Sequence, residues 1–584
     1  MSDFKTSLCR DSTIADITSD LTYQIKSGAA QCTYQTFGAS STSNSALNIS
    51  VQVPSENVIM GRDVLLTSGL TFTVKIGPGV PVGDPAFQYG LDMSLAAFPL
   101  SAIMTTLTAQ INNTTCSINL QDCLPSLLRM NNSRELYRYN GMTPSLPDQV
   151  YCNYTDAVGC TNNPMGGIKN GSYDVDQTPR GAHPCNILIY RKDRLGVPTD
   201  ASPVSTDALD TWDVVISTVV TEPLFLSPFI FGNPEYNSQG IMGINNMVLT
   251  MNIDTTLKRM FSCGLEDSQQ NIIPATIVAG TIAHPPLAGQ PAILANDLLF
   301  TASQFGAIKP PTQPSLLVKF LSVQPSDVIQ SKNVVPYMSY PRYITSTVGG
   351  GVLAQGQSRT ITSSNLQLNQ LPDLFIITVR KPMASQTIAD SNFFLKIQSI
   401  SVNLNNQSGL LSSASPEQLW RLSERNGSTQ NWLEFSGMSI GNSDVIAGVG
   451  TPLGTTGSML VLDPAYDLSL PDYLSSGSLG NYNFQFSLEV FNQSTQDFVP
   501  EVCVICVNSG VMVTDRGTTT TYTGVLTKEM VLGAKGKKED STSAESHRLV
   551  GGSIHNLGSS VKKNHSKAAH SSAPHKKSKL DGFM

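Results

Sequence analysis

Few side chains in this chain have the types and spacing that catalysis requires. The histidines that precede residue 526, His183 and His284, stand beside no nucleophile motif, and no Gly-x-Ser-x-Gly, His-Glu-x-x-His or Walker loop occurs. Asp463, Asp467 and Asp472 could supply a pair of acids like that of a glycosidase, but acidic residues are common and spacing alone does not specify this chemistry. We therefore predict no catalytic residues and no enzymatic activity.

The ten cysteines are irregularly spaced along 584 residues. This density favours reduced, mostly buried thiols over the alternative of a disulfide framework. Cys503-Val504-Ile505-Cys506 is the single Cys-x-x-Cys, and in a strand its two thiols would point to opposite faces because i and i+3 differ in parity. Since no second pair stands at zinc spacing, we predict neither a metal site nor a cofactor.

The last part of the chain differs in composition from the rest. Aromatic residues are absent from residue 527 until Phe583, and from Lys535 onward ten basic residues stand against four acidic ones. Such a segment cannot bury enough apolar area to offset its ordering entropy, so we predict a disordered tail over 527–584. An excess of about six positive charges predicts weak, salt-sensitive contact with nucleic acid, without base-specific readout. The candidate contact residues are Lys562, Lys563, Lys567, Lys576, Lys577 and Lys579.

An approximate repeat organises the chain before this tail. Its first copy begins at Phe98-Pro99-Leu100, alternates over Leu107–Ile111, turns at Asn112-Asn113 and enters an apolar helix signal over Ile118–Leu128. The second copy begins at Phe393-Phe394-Leu395, alternates over Ile400–Leu404, turns at Asn405-Asn406 and enters a helix signal over Pro416–Leu422. Two copies of one β-rich unit predict a tandem fold.

Short alternating or β-branched runs separated by Gly, Pro, Asn and Asp fill the chain before residue 526, which is typical of sandwiches and barrels. Prolines 285, 286 and 291, followed by 310, 311 and 314, cannot donate to a sheet and therefore indicate the connection between two domains. We predict an all-β chain with few short helices, divided into domains over 1–285 and 286–526 and the tail over 527–584.

Charged residues make up 14% of the chain, well below the ~25% of an average soluble protein. The solvated faces must therefore be neutral and polar, which suits broad packed contacts. The first twenty residues carry charges and no apolar core, so no secretory signal is expected. No run of ~18 apolar residues occurs, so no membrane span is expected either.

Three segments carry a resemblance to a known family. The first is Tyr89–Leu128, which contains Ala96-Ala97-Phe98-Pro99-Leu100-Ser101-Ala102-Ile103; the others are Asn162-Asn163-Pro164-Met165-Gly166 and Thr221–Phe229. In this order they resemble the major capsid proteins of virophages and polinton-like viruses, and the resemblance extends to about residue 525. It implies a double jelly roll, in which two antiparallel sandwiches stand side by side. This fold agrees with the two β-rich halves of the sequence.

The resemblance also implies function and partners. Three copies would form a pseudo-hexagonal capsomer, since two similar sandwiches in each chain give a trimer six comparable lobes on a closed icosahedral shell. Penton and minor capsid proteins would be further partners, and the basic tail could recruit acidic minor proteins as well as nucleic acid. The expected location is the virion capsid, assembled in the cytoplasm or nucleus of the host cell.

The tail contains one further motif. Leu549-Val550-Gly551-Gly552-Ser553 resembles the Leu-x-Gly-Gly-x cleavage site of adenovirus-type cysteine proteases, which virophages encode. Glycines let an extended backbone enter a narrow cleft, and a disordered segment is where cutting is easiest. The prediction is that a maturation protease cuts after Gly552; the alternative is a flexible Gly-Gly hinge.

Two other functions fit a tandem β architecture. One is a carbohydrate-binding or fibre protein, which would be a monomer or small oligomer with an aromatic-lined groove. Three tryptophans in 584 residues argue mildly against sugar-stacking sites. The other is a glycosidase with a β-sandwich appendage. The prediction that the sequence favours is a structural shell subunit that acts by self-assembly.

Overall fold

Strands dominate the part of the chain that the structure, a computed structural model, describes. The described residues are 8–10, 23–25, 30–43, 45–55, 58–76, 93–131, 136, 147, 168–169, 172–173, 187–192, 198–199, 212–230, 240–256, 259–263, 276–278, 281–283, 293–299, 313–323, 332–346, 350–386, 390, 392–405, 407–441, 451–468, 470, 474–494, 496–515, 517–524 and 526–527. The predicted tail beyond residue 527 lies outside them.

The described residues up to Val323, called the first half below, form twenty strands. They are Leu8–Arg10, Tyr23–Ile25, Ala30–Thr42, Ala46–Gln52, Val58–Met60, Leu65–Ile76, Met93–Leu95, Met104–Ile111, Thr114–Ile118, Ile168–Lys169, Ser172–Tyr173, Ile187–Lys192, Pro198–Thr199, Trp212–Pro223, Asn246–Ile253, Phe261–Cys263, Thr276–Val278, Thr281–Ala283, Ile293–Leu299 and Ser315–Val323. Fourteen of them join in one curled sheet. The long strand Ala30–Thr42 makes this possible, because it pairs with Ser315–Val323 as far as Gly38 and with Ala46–Gln52 from Ala39 onward, with an irregularity between Ala39 and Ser41.

The part of the second half that the structure describes, from Lys332, forms two six-stranded sheets and one two-stranded pair. Its strands are Lys332–Ser339, Arg342–Ser346, Ser358–Thr362, Leu366–Gln370, Leu374–Arg380, Lys396–Leu404, Gln407–Leu410, Met438–Gly441, Thr451–Gly454, Met459–Leu462, Ser478–Phe491, Glu501–Asp515, Thr518–Thr523 and Leu526–Thr527. Side chains alternate between buried and exposed along most of Ser478–Phe491, as expected for a strand with one face on a core. The two six-stranded sheets face each other, and Phe375 of one stacks on Phe484 of the other with ring centroids 4.2 Å apart.

Helices are few and short among the described residues. They are Pro99–Ala102, Leu120–Leu127, Pro416–Arg425, Trp432–Ser436 and Pro464–Asp467, with a 3-10 turn at Met383–Ser385. The longest has ten residues, and in the described ranges no helix has the length and apolar character needed to cross a membrane. The sequence prediction of an all-β fold with a few short helices is confirmed.

The predicted tandem repeat is present in the strand pairing. In the first half, Met104–Ile111 pairs with Thr114–Ile118 and with the long strand Asn246–Ile253, and the helix Leu120–Leu127 follows. In the second half, Lys396–Leu404 pairs with Gln407–Leu410 and with the long strand Ser478–Phe491, and the helix Pro416–Arg425 follows. Each half therefore contains the same hairpin-and-helix unit on the same kind of strand.

The strand pairing passes from the first half to the second at a point later in the chain than residue 285. Strands Ile293–Leu299 and Ser315–Val323 both follow residue 285, yet the first pairs with Leu65–Ile76 and the second with Ala30–Thr42. Lys332–Ser339 is the next described strand, and it pairs with Glu501–Asp515. The pairing thus places the change between Val323 and Lys332. Proline spacing could not reveal this, because prolines mark any connection that lacks ladder donors, including one between two strands of a single sheet.

Candidate assembly interface

The Asn112 turn of the first half reaches the second half. Asn112 has φ 51°, a left-handed conformation that asparagine tolerates better than most residues. Its Oδ1 accepts the backbone N–H of Asn245 at 2.9 Å, and its Nδ2 donates to Thr519 Oγ1 at 2.9 Å and to the Gly243 carbonyl at 3.1 Å. The same side chain therefore fixes its own turn and bonds to the other half.

The rest of this hairpin continues the contact along the edge strand Thr518–Thr523. The Thr519 backbone N–H donates to Asn113 Oδ1 at 2.7 Å, and Thr114 Oγ1 donates to the Thr519 carbonyl. Both ladder groups of Thr519 are thus satisfied by side chains of the hairpin. An unpaired strand edge is a ready template for association, and here the chain covers its own edge.

Gly517, in the second half, allows the backbone to approach the first half at Gly243 and Asn245. Gly517 has φ +83°, and a Cβ at this position would lie 2.4 Å from Asn245 Nδ2. Its N–H donates to the Gly243 carbonyl at 3.2 Å. A larger residue would have to displace the Asn245 side chain as well as adopt a strained backbone conformation.

Charged side chains join the halves at the other end of the strand Glu501–Asp515, where Arg380 pairs with Glu501, whereas Thr519 pairs with Thr514. Asp122, on the helix Leu120–Leu127, lies 2.5 Å from Arg380 Nη2 and 2.7 Å from Arg342 Nε, the latter as an ion pair without hydrogen-bond geometry. Arg380 is 3% exposed and also lies 2.8 Å from Glu501. Burial alone would lower the pKa of Arg380, but the acidic groups of Cys503, Asp122 and Glu501 raise it above its ordinary value. The guanidinium therefore stays charged and is held between carboxylates from both halves.

Arg129 makes a second polar contact between the halves. Its guanidinium lies over the Phe394 ring, 5.0 Å from the centroid, and donates to the Asn392 carbonyl at 2.9 Å. The Arg129 carbonyl accepts from both the backbone N–H and the hydroxyl of Thr429, at 2.8 and 2.7 Å. One first-half residue thus binds two separate second-half segments.

The apolar core is shared between the halves as well. Cys503, Ile505 and Met512 belong to the buried cluster that fills the first half, whereas Val504 and Cys506 belong to the separate cluster inside the second sandwich. The prediction that the two thiols of Cys-x-x-Cys face opposite sides of a strand is therefore confirmed. Burial raises the pKa of Cys503 to about 11 and that of Cys506 to about 12, which disfavours the thiolate that a metal or an electrophile requires.

Two of the segments singled out in the sequence meet in the first half. Glu222, fully buried, accepts the backbone N–H groups of Leu100 and Ser101 at 2.8 and 2.7 Å and the Ser101 hydroxyl at 2.5 Å. The Phe98 and Phe225 rings pack edge to face with centroids 4.7 Å apart. Burial raises the pKa of Glu222 to about 7, although its three hydrogen bonds act to lower it.

This cluster is also tied to the second half. Ser227 Oγ accepts the backbone N–H of Met338 at 2.9 Å, and Arg62, itself buried, donates from Nε to the Pro228 carbonyl at 2.6 Å. The segment Thr221–Phe229 therefore bonds the first-half helix through one end and a second-half strand through the other. Sequence reasoning selected these residues but could not assign their contacts, because the partners are distant in the chain and are mostly backbone atoms.

The remaining predicted sites fall outside what the structure describes. These are the cleavage residues Leu549, Gly551, Gly552 and Ser553 and the lysines Lys562, Lys563, Lys567, Lys576, Lys577 and Lys579. His183, His284 and the segment Asn162–Gly166 lie outside it too. Of the three carboxylates weighed as a glycosidase pair, Asp463 and Asp467 belong to the short helix Pro464–Asp467 and its cap: Asp463 Oδ1 accepts from Ala465 N, and Asp467 pairs with Arg425. Among the described residues no group of three or more His, Cys, Asp or Glu side chains could hold a metal ion.

Comparison with known proteins identifies the family. The model of the first domain of the Sputnik virophage major capsid protein matches residues 2–321, more than half of the chain, and the model of the C-terminal domain of major capsid protein V20 matches residues 340–510. The putative capsid protein V20 of Sputnik virophage is 25% identical over 529 residues, which cover 89% of this chain and 80% of that protein.

Solved structures show the same fold. A chain of the Sputnik virophage, determined by cryo-electron microscopy, superposes with a TM-score of 0.70 at 24% identity, over 91% of this chain and 95% of that chain. The mavirus major capsid protein superposes with a TM-score of 0.61 at 16% identity, over 91% and 96% of the two chains. The double jelly roll expected from the sequence is confirmed. The chain belongs to the virophage major capsid protein family, and it is a structural component of a virion capsid.

Proposed function

We propose that the chain acts as a homotrimer, a pseudo-hexagonal building block of an icosahedral shell. The observation that carries this proposal is the bonding of the Asn112 turn to the edge strand Thr518–Thr523, which unites two similar sandwiches in one body. Three such bodies around a threefold axis present six comparable lobes. Because the symmetry is closed, every copy then makes the same contacts with its neighbours. The sparse charge of the chain supports extended packing between capsomers, because fewer ionic groups have to be desolvated.

Size-exclusion chromatography with light scattering on the full chain tests the proposal. The expected result is a stable trimer whose mass does not change on tenfold dilution, with six-lobed particles in electron micrographs. A monomer at all concentrations would contradict it, and so would a dimer with a sugar-binding groove.

We further propose that the role of the chain is structural and not enzymatic, with a first domain to about residue 323, a second from about residue 332 to 526, and the tail 527–584. The two described domains follow the strand pairing. Penton and minor capsid proteins would occupy the positions on a shell that trimers leave open.

For the tail we propose two successive roles. Before maturation its six candidate lysines contact nucleic acid, or the acidic surfaces of minor capsid proteins, through charge alone. A maturation protease then cuts after Gly552 and releases residues 553–584. The support is compositional: a basic segment with two adjacent glycines and no aromatic residue before Phe583.

A further inference from the structure

The two copies of the repeated hairpin have the same turn. Asn112 and Asn405 have φ values of 51° and 53°. Each backbone N–H donates to the neighbouring long strand, Asn112 to the Asn246 carbonyl at 3.0 Å and Asn405 to the Asn483 carbonyl at 2.8 Å. Each Oδ1 accepts a backbone N–H at 2.9 Å, from Asn245, which immediately precedes the strand Asn246–Ile253, and from Asn483 in the strand Ser478–Phe491. The second turn is thus built to the same plan as the first.

The two turns differ in what their side-chain amides bind. Asn112 Nδ2 donates to the Gly243 carbonyl within the first half and to Thr519 Oγ1 across the boundary between the halves. Asn405 is exposed, and its Nδ2 has no hydrogen-bond partner among the described residues. Ser408 and Gly409, which follow in the same hairpin, are exposed too. A turn of the same conformation therefore projects from the second half with its donor directed to solvent.

The first half contains the positional counterpart of the strand that receives Asn112. Thr518–Thr523 pairs with residues 510–515 of Glu501–Asp515, next to Leu374–Arg380, which pairs with residues 501–507. In the first half, Val58–Met60 pairs with residues 320–322 of Ser315–Val323, next to Leu65–Ile76, which pairs with residues 315–317. The opposite edge of Glu501–Asp515 pairs with residues 332–346, and the opposite edge of Ser315–Val323 pairs with Ala30–Thr42. The neighbours of the two strands are therefore arranged alike.

Part of this counterpart edge is already bonded within the chain. Met60 exchanges backbone hydrogen bonds with Ile241 at 2.9 and 2.7 Å. Val58 and Ile59 remain partly exposed at the start of the strand. The Val58 N–H donates to the Ser55 carbonyl at 3.2 Å, and Gly240 lies against the Ile59 side chain. What this edge offers to another hairpin is therefore the partly exposed surface of Val58 and Ile59.

We propose that the Asn405 hairpin of one copy docks on the Val58–Ile59 edge of a second copy of this chain. The inference rests on the proposed trimer and names the contact that closes it. The bond between the halves of one chain and the bond between copies would then use the same hairpin and the same position on the sheet. Such a head-to-tail contact is heterologous, and it forms a closed ring when the rotation it imposes is one third of a turn.

Site-specific crosslinking tests the partner surface. The full chain carrying Ser408→benzoylphenylalanine is mixed as ¹⁵N-labelled and unlabelled protein, irradiated and digested, and the crosslinked peptides are sorted by isotope content. Crosslinks between copies that join position 408 to residues 53–60 support the proposal. Crosslinks confined to one copy, or directed to another surface, overturn it.

A charge variant tests the donor. Aspartate, like asparagine, tolerates the left-handed turn and has a side-chain oxygen that accepts the Asn483 N–H. Asn405→Asp therefore changes mainly the amide donor, which becomes a carboxylate oxygen. We expect trimer dissociation to become favourable by about tenfold or more for each contact. The matched control is Gln357→Glu, the same amide-to-acid change at an exposed residue whose backbone carbonyl accepts from Asn492, at the far end of the strand Ser478–Phe491.

The outcomes separate this inference from the proposed function. If the unsubstituted chain is a trimer and Asn405→Asp, shown by its thermal unfolding to be folded, dissociates while Gln357→Glu does not, the inference stands. If both variants stay trimeric, the docking site is wrong and the trimer proposal survives. If the unsubstituted chain does not self-associate, both fail.

Discussion

Arg380 Nη2 lies 2.5 Å from Asp122 Oδ1, so that a nearly buried arginine of the second half is bound by an acid on a first-half helix. The two residues are separated by 258 positions in the chain. Arg342 and Glu501 complete the group from neighbouring strands of the second half. A charge this far from solvent needs its partners, because an unpaired buried ion costs several kcal/mol.

Asp122→Asn therefore destabilises the folded chain by about 3 kcal/mol, with Glu501 compensating part of the lost pairing. The measurement is urea unfolding of the isolated full chain. The matched control is Glu424→Gln, which removes an ion pair with Arg421 whose side chains are 66% and 49% exposed. We expect a change of at most about 0.5 kcal/mol there, because exposed pairs contribute little. Equal effects of the two substitutions would show that Asp122 does not hold the halves together.

Asn112 contributes through its backbone conformation and through its side chain, and two substitutions separate these contributions. Asn112→Gly keeps the left-handed turn but loses the bonds to Asn245, Gly243 and Thr519, so we expect a loss of about 2 kcal/mol. Asn112→Ala adds the strain of a left-handed alanine, about 1 kcal/mol more. Thermal unfolding measures both, with the exposed Thr115→Ala on the same hairpin as the control. An alanine variant as stable as the glycine variant would contradict the role of the turn.

Local pattern was sufficient to predict the repeated unit. Three features depend on neighbours only a few residues away: the Asn112 and Asn405 turns, the alternation before them and the helix signals after them. A single sequence is therefore enough to predict them. The predicted helix over Ile118–Leu128 is observed as Leu120–Leu127, and the one over Pro416–Leu422 extends to Arg425. A Ser415 capping box with Gln418 begins the second helix.

The contacts between the halves could not be predicted in this way. Thr519 bonds to Asn113 across 406 positions of the chain, and Ser101 bonds to Glu222 across 121. In both contacts the donor is a backbone N–H, which every residue except proline carries. No side-chain type marks such a partner. The prolines after residue 285 could not show which strands they connect for a related reason, since strand order within a sheet is decided by non-local pairing.

The proposed maturation cleavage predicts a change in the mass of the virion protein. Protein from assembled particles should end at Gly552, and Gly551→Val should leave the full 584 residues because a branched side chain does not fit where an extended Gly-Gly backbone must enter a narrow cleft. Intact-mass spectrometry measures both. Gly558→Val, a glycine of the same tail outside the motif, is the control and should be cut normally. Full-length protein in mature particles of the unsubstituted chain would exclude the cleavage.

Glu222 makes stability depend on pH. Its pKa rises from the ordinary 4.5 to about 7 in the folded chain, mainly because burial disfavours the carboxylate. The folded state therefore binds more protons than the unfolded state between these two values, and the free energy of unfolding falls as pH rises through this window. The fall attributable to this residue is of the order of 3 kcal/mol, complete slightly above pH 7.

Glu222→Gln removes this titration while it keeps one acceptor for the N–H groups of Leu100 and Ser101. The variant is less stable than the parent at pH 4.5, because its amide cannot accept from all three donors. The difference between the two proteins should shrink as pH rises to 7.5, since only the parent must desolvate a carboxylate there. Urea unfolding at both pH values measures this difference, and subtracting one protein from the other cancels the remaining titrating groups. Parallel pH profiles would mean that Glu222 keeps an ordinary pKa and that its three hydrogen bonds fully offset its burial.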